Sequence, residues 1–194
     1  MVIIEGERGL RLRELSPSDK RPLARLANNK KIWDNLRDYI PYPYTTRDAE
    51  VFIALCREED PKVTLAIEYR KKLAGVIGLV LQKDVYRISA ELGYWIGEKY
   101  WSKGIGTRSI RLMLHYGFST INLHRVYAGV FGYNVASCRV LEKNGFVREG
   151  ILREAIIKND RIADELRYGC LKRDFEQLTS NPLFNPPLVK QDND

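Results

Sequence analysis

The sequence has little that favours a membrane or a metal. Its longest apolar run, Leu73–Leu81, falls far short of the ~20 residues that a helical bilayer span needs. Only two histidines occur, His115 and His124; neither has a Cys or His companion at ligand spacing, so no metal is expected. Cys56, Cys138 and Cys170 are widely spaced and odd in number. They suit buried thiols in a reducing compartment, and the expected location is cytoplasmic. The amino terminus, Met1-Val-Ile-Ile-Glu, lacks a basic segment followed by a long apolar one, so no secretory leader is expected. No run of five basic residues appears and no internal repeat is visible. The formal charge of +7 is therefore spread out. It would attract phosphorylated cofactors, nucleic acid or acidic proteins by long-range steering but selects none of them, and a solvated mixed-charge surface is the default description. Direct nucleic-acid binding is not expected.

What is present is ordinary globular material: 194 residues, 44% hydrophobic and 29% charged, enough for a single domain with a full core. Gly9–Leu15 alternates apolar and charged residues as a strand with one wet face does. Ser16-Pro17-Ser18-Asp19 opens a helix with a cap, a first-position proline and an acid in the first turn; Leu23, Leu26 and Ala27 are its apolar stripe. A short helix fits residues 30–38. Tyr39-Ile-Pro-Tyr-Pro-Tyr44 is an irregular aromatic loop, because its prolines restrict themselves and the residues before them. Thr45 or Thr46, with Asp48, caps another helix. Strands at Val63–Tyr69 and Leu73–Gln82 flank the polar turn Arg70-Lys71-Lys72. A strand at 87–96, a helix from Ile105, a strand at Arg125–Phe131, and a helix capped by Asn134 and ended by Asn144-Gly145 come next. Phe146–Lys158 and Arg161–Leu171 form a hairpin about Asn159-Asp160. The order argues an α/β (mixed α+β) fold with a single mixed, mostly antiparallel sheet and helices on both faces. Residues 1–178 are expected to be the domain and 179–194 a poorly ordered tail.

The chemistry concentrates in Glu91–Thr107. Ile110, Met113, Leu114, Gly117 and Phe118 share one helical face, so a helix starts at Gly104 and Gly106. A helix start leaves backbone N–H groups unpaired and concentrates partial positive charge. Ser102, Lys103, Gly104, Ile105, Gly106 and Thr107 thus offer an anion successive amides, an added cation and close approach at the glycines. A tight strand-to-helix turn would use the same residues.

Trp101-Ser-Lys-Gly104-Ile-Gly106 resembles the acetyl-CoA pyrophosphate loop of the GCN5-related N-acetyltransferase superfamily, Gln/Arg-x-x-Gly-x-Gly/Ala, with Trp101 in place of Gln/Arg. Glu91-Leu-Gly-Tyr-Trp-Ile and Asn134-Val-Ala-Ser137, with Asn-Gly145-Phe146 after it, resemble the ribosomal-protein alanine N-acetyltransferase branch. The likeness spans roughly residues 8–175. It implies acetyl-CoA as co-substrate, with strands 87–96 and 125–131 parallel and splayed at one end to admit the pantetheine. By resemblance, Tyr94, Trp95 and Ile96 would pair with the pantetheine amides, as an added strand would. Asn134 would hold the cofactor, or simply cap its helix.

The implied reaction is attack of a primary amine, from a protein N-terminus or a small molecule, on the thioester. A protonated amine is no nucleophile, so a base is needed. Glu91 is the candidate, its alternative being a solvated carboxylate. Relatives often place a Tyr that protonates the leaving thiolate where this chain has Leu141. Ser137, a turn earlier, is then the candidate acid, or else a hydroxyl bonded to its own backbone. Trp33, Tyr39, Tyr42 and Tyr44 lie where relatives form the acceptor groove, and packing under a loop would use them as well. Arg139, Lys143 and Arg108 could meet the 3′-phosphate or merely be solvated. A non-catalytic acyl-CoA-binding or ribosome-associated module is the reading from outside enzymes.

Overall fold

The structure, a computed structural model, describes residues 2–180. In chain order its elements are β1 (Ile3–Glu5), β2 (Leu10–Arg13), α1 (Lys20–Ala27), α2 (Lys30–Trp33), α3 (Thr46–Glu58), β3 (Thr64–Tyr69), β4 (Lys72–Leu81), β5 (Ser89–Ile96), α4 (Ile105–Ser119), β6 (Arg125–Phe131), α5 (Val135–Glu142), β7 (Val147–Lys158), β8 (Arg161–Leu171) and α6 (Lys172–Thr179). The strands form one sheet in the order β1-β2-β3-β4-β5-β6-β8-β7. Its recorded ladders are antiparallel except β5–β6. The expected mixed, mostly antiparallel sheet is what forms. Two compact units share the chain. One holds residues up to Gly78 with Tyr94–Leu112, the other Leu79–Gly93 with the described residues from Met113 on.

In the first unit, α1 and α3 bury Leu23, Ala24, Ala49 and Ile53 with Ala66 and Val76 of the sheet. The expected helix at Ser16 opens as a 3-10 turn, Pro17–Asp19. Asp19 folds back to accept from the Ser16 N–H at 2.9 Å, a bond that Pro17 at the first position does not disturb. Thr45 caps α3 as expected, accepting from the Asp48 N–H at 3.3 Å while Asp48 accepts from the Thr45 N–H at 2.8 Å. Thr45→Ala is expected to cost about 1 kcal/mol, a melting shift of about 2–4 °C for a chain this size, measurable by calorimetry. Arg70 and Lys71 take φ of 50° and 61°, the left-handed pair that a two-residue hairpin turn requires. The wet face read for residues 9–15 is only partly wet. Arg13 meets the buried Asp19 with Nη1–Oδ2 at 2.7 Å and Nη2–Oδ1 at 2.8 Å, and the buried Glu68 with Nε–Oε2 at 2.6 Å.

In the second unit β5 and β6 run parallel, with Ser89 opposite Arg125, Ala90 opposite Val126 and Glu91 opposite Tyr127. The recorded ladder stops there, although β5 continues to Ile96 and β6 to Phe131. Val126, Ala128 and Val130 are buried, while Arg125, Tyr127 and Gly129 are half-buried on the other face, the alternation of a strand covered on one side. Phe118 of α4 meets Phe175 of α6, ring centroids 5.5 Å apart. Of the tail expected at 179–194, Thr179 closes α6, and residues 181–194 lie outside the described residues.

Candidate active site

The loop after β5 is held open by its own contacts. Its 3-10 turn, Glu98–Tyr100, is followed by Trp101, whose N–H donates to the Glu98 carbonyl at 3.0 Å. The Trp101 indole Nε1 donates to the Ile96 carbonyl at 2.7 Å. The residue that departs from the family pattern thus tethers the loop to the strand end. Ser102 and Gly104 have φ of 58° and 68°, which turn the chain sharply before α4 begins with the Arg108 N–H on the Gly104 carbonyl at 3.1 Å. Among the described residues, the backbone N–H groups of Ser102–Thr107 donate to no recorded acceptor. A Cβ placed on Gly104 would find no atom within 4 Å, so the space over those amides is open. A diphosphate fits such a nest by charge and by hydrogen bonding.

Cations surround the nest. Lys103 Nζ donates to the Lys99 carbonyl at 2.8 Å and stands 5.8 Å from the centre of the Tyr100 ring; Lys99 Nζ is 5.0 Å from the same ring. Arg108 is bound rather than merely solvated. Its guanidinium donates to the carbonyls of Glu7 at 3.2 Å, Lys103 at 3.3 Å and Gly104 at 3.3 Å, and lies 5.9 Å from the Tyr69 ring. Arg108 therefore braces the nest from behind. The signal available in sequence was its place one turn into α4, four residues after Gly104.

Tyr94 and Trp95 are half-buried and Ile96 is buried, and Trp95 packs on the core of its unit. Gly75 is glycine because a Cβ there would collide with the Trp95 carbonyl. The aromatic candidates for the acceptor separate. Trp33 stacks on Tyr42 with ring centres 5.4 Å apart and donates from Nε1 to the Ile40 carbonyl at 2.8 Å. Tyr39 is 78% exposed and Tyr42 43%, whereas Tyr44 is 9% exposed and belongs to the core. Burial, with the nearby Asp48 charge, pushes the Tyr44 phenol up to about 12. Its burial matches the packing alternative, not a groove.

In the second unit, Glu91 is half-buried and stands opposite Tyr127. Asn134 caps α5, its Oδ1 accepting from the Ser137 N–H at 3.1 Å. That bond uses only the oxygen end of the amide and leaves Nδ2 as a donor. Ser137 is half-buried on the first turn of α5, and Leu141 is fully buried, so the place of the relatives' Tyr is core here. Tyr168 anchors the same helix by donating to Glu142 Oε1 at 3.0 Å, and burial followed by bonds to Cys138 and Glu142 raises its phenol. All three cysteines are buried. Burial pushes the Cys56 and Cys170 thiols up to about 12, which keeps both out of the nucleophilic thiolate form. Among the described residues no helix is long and apolar enough to cross a membrane, and no cluster of three or more His, Cys, Asp or Glu could hold a metal ion.

Residues 9–147 match the Acetyltransferase (GNAT) domain family. The "Uncharacterized N-acetyltransferase YoaA" of Bacillus subtilis (strain 168) is 32% identical over 88% of this chain and 97% of its own. The "Putative ribosomal N-acetyltransferase YdaF" of the same organism is 36% identical over 56% of this chain and 58% of its own. The crystal structure of spermidine N-acetyltransferase from Vibrio cholerae, in complex with CoA and spermine, superposes with a TM-score of 0.73 at 28% identity. It covers 87% of this chain and 98% of its own.

Proposed function

The chain belongs to the GNAT acetyltransferase family and uses acetyl-CoA, and from that premise we propose that its acceptor is the N-terminal primary amine of a protein, of the ribosomal-protein type, attacked directly in a ternary complex. The observation that carries the cofactor half of this reading is the row of open amides from Ser102 to Thr107. They and Lys103 hold the diphosphate, and Arg108 keeps their carbonyl side fixed. In the first unit the β5 edge at Tyr94, Trp95 and Ile96, beyond the end of the recorded β5–β6 ladder, is the proposed partner of the pantetheine amides; in the second unit Asn134 Nδ2 is a proposed donor to the cofactor. The thioester supplies an acyl carbon open to amine attack. Glu91 takes the ammonium proton, a main-chain N–H of the β5 edge steadies the oxyanion, and Ser137 passes a proton to the departing sulfur. Direct attack is favoured over an acyl-enzyme because the thiols of Cys56 and Cys170 are buried and weakly acidic. The N-terminal acceptor is supported by the branch-like phrases at 91–96 and 134–146 and by likeness to YdaF. Trp33, Tyr39 and Tyr42 would line its approach.

The reading is tested by incubating the protein with acetyl-CoA and a mixed library of N-terminal peptides and small amines, following free thiol and identifying products by mass. Peptide N-terminal acetylation is expected. Thiol release with small amines alone would replace this acceptor, and CoA binding without transfer to any amine would leave the non-catalytic module. Glu91→Gln is expected to lower turnover by about 10²-fold or more while CoA binding is retained; wild-type-like turnover would remove the proposed base.

A further inference from the structure

The proposed acceptor is an N-terminal amine, and the second unit carries a feature that narrows which N-termini suit it. The face of β5, β6 and β8 opposite Val126 and Ala128 borders a cleft of about 730 Å³, with Ser89, Arg125, Tyr127, Glu149 and Arg167 in its lining. Two arginines therefore face one cleft, and they are not equivalent. Arg125 is spent: both ends of its guanidinium meet the Glu149 carboxylate, Nη1–Oε1 at 2.6 Å and Nη2–Oε2 closer still. Gly169 makes room beneath this pair, since a Cβ there would collide with both partners.

Arg167 meets an acid at one corner only. Its Nε lies 2.6 Å from Glu165 Oε1, a charge contact that lacks hydrogen-bond alignment, and Glu165 is itself buried, its carboxylate seated so close to Gly129 that a Cβ there would stand 2.5 Å from Oε1. The guanidinium centre lies 6.0 Å from the centre of the Tyr127 ring, within reach of a cation–π contact. The Nη1 and Nη2 donors meet no recorded acceptor among the described residues, and the side chain is 36% exposed. A guanidinium set beside a buried acid and an aromatic ring, with its two terminal nitrogens open, can receive a carboxylate in bidentate fashion.

Position completes the argument. Glu91 stands opposite Tyr127, Tyr127 opposite Gly169, and Gly129 opposite Arg167. Glu91 and Arg167 are thus two strand spacings across and two residues along the sheet from each other, about 12 Å between backbones, with β6 and its Tyr127 between their strands. The face is dipolar, with a carboxylate toward β5 and an open guanidinium toward β8. We infer that Arg167 is a specificity residue for a carboxylate on the acceptor, and that the preferred acceptor is a protein N-terminus bearing Asp or Glu at its second or third position. An extended chain advances about 3.3–3.6 Å per residue, so an amine at Glu91 brings an acidic side chain at those positions to the fork. A polyamine would instead set a second ammonium against Arg167. This inference rests on the proposed N-terminal reading for the place of the amine.

The test uses the full chain with matched short peptides carrying Asp or Asn at positions 2 and 3, free glutamate, and spermidine. The readouts are thiol release and calorimetric binding of each acceptor to the CoA-loaded protein. The Asp peptides are expected to exceed the Asn peptides about tenfold in kcat/KM and in affinity, the usual worth of a hydrogen-bonded charge pair. In Arg167→Gln the ratio falls to about one, and in Arg167→Lys it lies between, while CoA affinity and melting temperature report that the fold is intact. Peptide transfer indifferent to acidity, or a preference that survives in Arg167→Gln, overturns the inference and leaves the N-terminal reading standing. Transfer to glutamate but to no peptide keeps the carboxylate fork and overturns the N-terminal reading. Transfer to spermidine alone overturns both.

Discussion

Gly104→Val is expected to lower CoA affinity by about 10²- to 10³-fold while the protein still folds. Two costs add. A branched side chain at φ 68° is strained by about 1–2 kcal/mol or more, and it projects into the open space above the nest, holding a diphosphate away from amides whose charge-assisted bonds are worth about 1.5–3 kcal/mol each. Gly104→Ala carries a smaller part of both and should lose roughly tenfold. Isothermal titration with CoA measures the loss, and a melting scan without ligand checks the fold. A Gly104→Val protein that binds CoA as tightly as the parent would remove the nest from the cofactor site.

The largest effect on stability is expected from Arg13→Met. Arg13 is the shared partner of Asp19 and Glu68, 5% and 6% exposed. Removing it strands two buried carboxylates, for which a loss of about 3–5 kcal/mol is typical, or a fall in melting temperature of about 10 °C. The same cluster sets an acid limit. Burial would raise the Asp19 carboxyl, but bonds from Arg13 and Ser16 outweigh it and hold the group below its ordinary 3.8. Glu68 is likewise raised by burial and lowered further by Arg13 and Arg11, to below its ordinary 4.5. Carboxyls whose folded values are depressed add stability above their unfolded values and lose it as pH falls through the folded ones. Stability should therefore decline from about pH 4 downward, and that part of the decline should vanish in Arg13→Met. Denaturant melts at pH 7 and pH 3 measure it; an unchanged difference would show that the network is not what titrates.

Much of this was legible along the chain because the signals are local. The cap at Thr45, the hairpin turns at Arg70-Lys71 and Asn159-Asp160, the strand 125–131 and the helix start at Gly104 each depend on neighbours a few residues away. Other features depend on distant partners and could not be read. β1 is only Ile3–Glu5 and exists by pairing Ile4 with Leu12; three residues carry no usable period. α6 is mostly polar, with Phe175 its buried anchor, so periodicity had little to find. Tyr44 looked like its exposed neighbours in an aromatic loop, and tertiary packing drew it into the core. Arg13 and Glu68 pair across β2 and β3, and Arg167 sits beside Glu165 on its own strand and near Tyr127 on the next. One sequence shows the charges but not which of them remain uncommitted.

Arg108 reaches back to the Glu7 carbonyl as well as to Lys103 and Gly104. One guanidinium thus rivets the turn of the amino-terminal hairpin to the underside of the anion nest. Mechanical disturbance of the first ten residues, far from any reacting atom along the chain, would then be felt as a looser grip on the nucleotide end of the co-substrate.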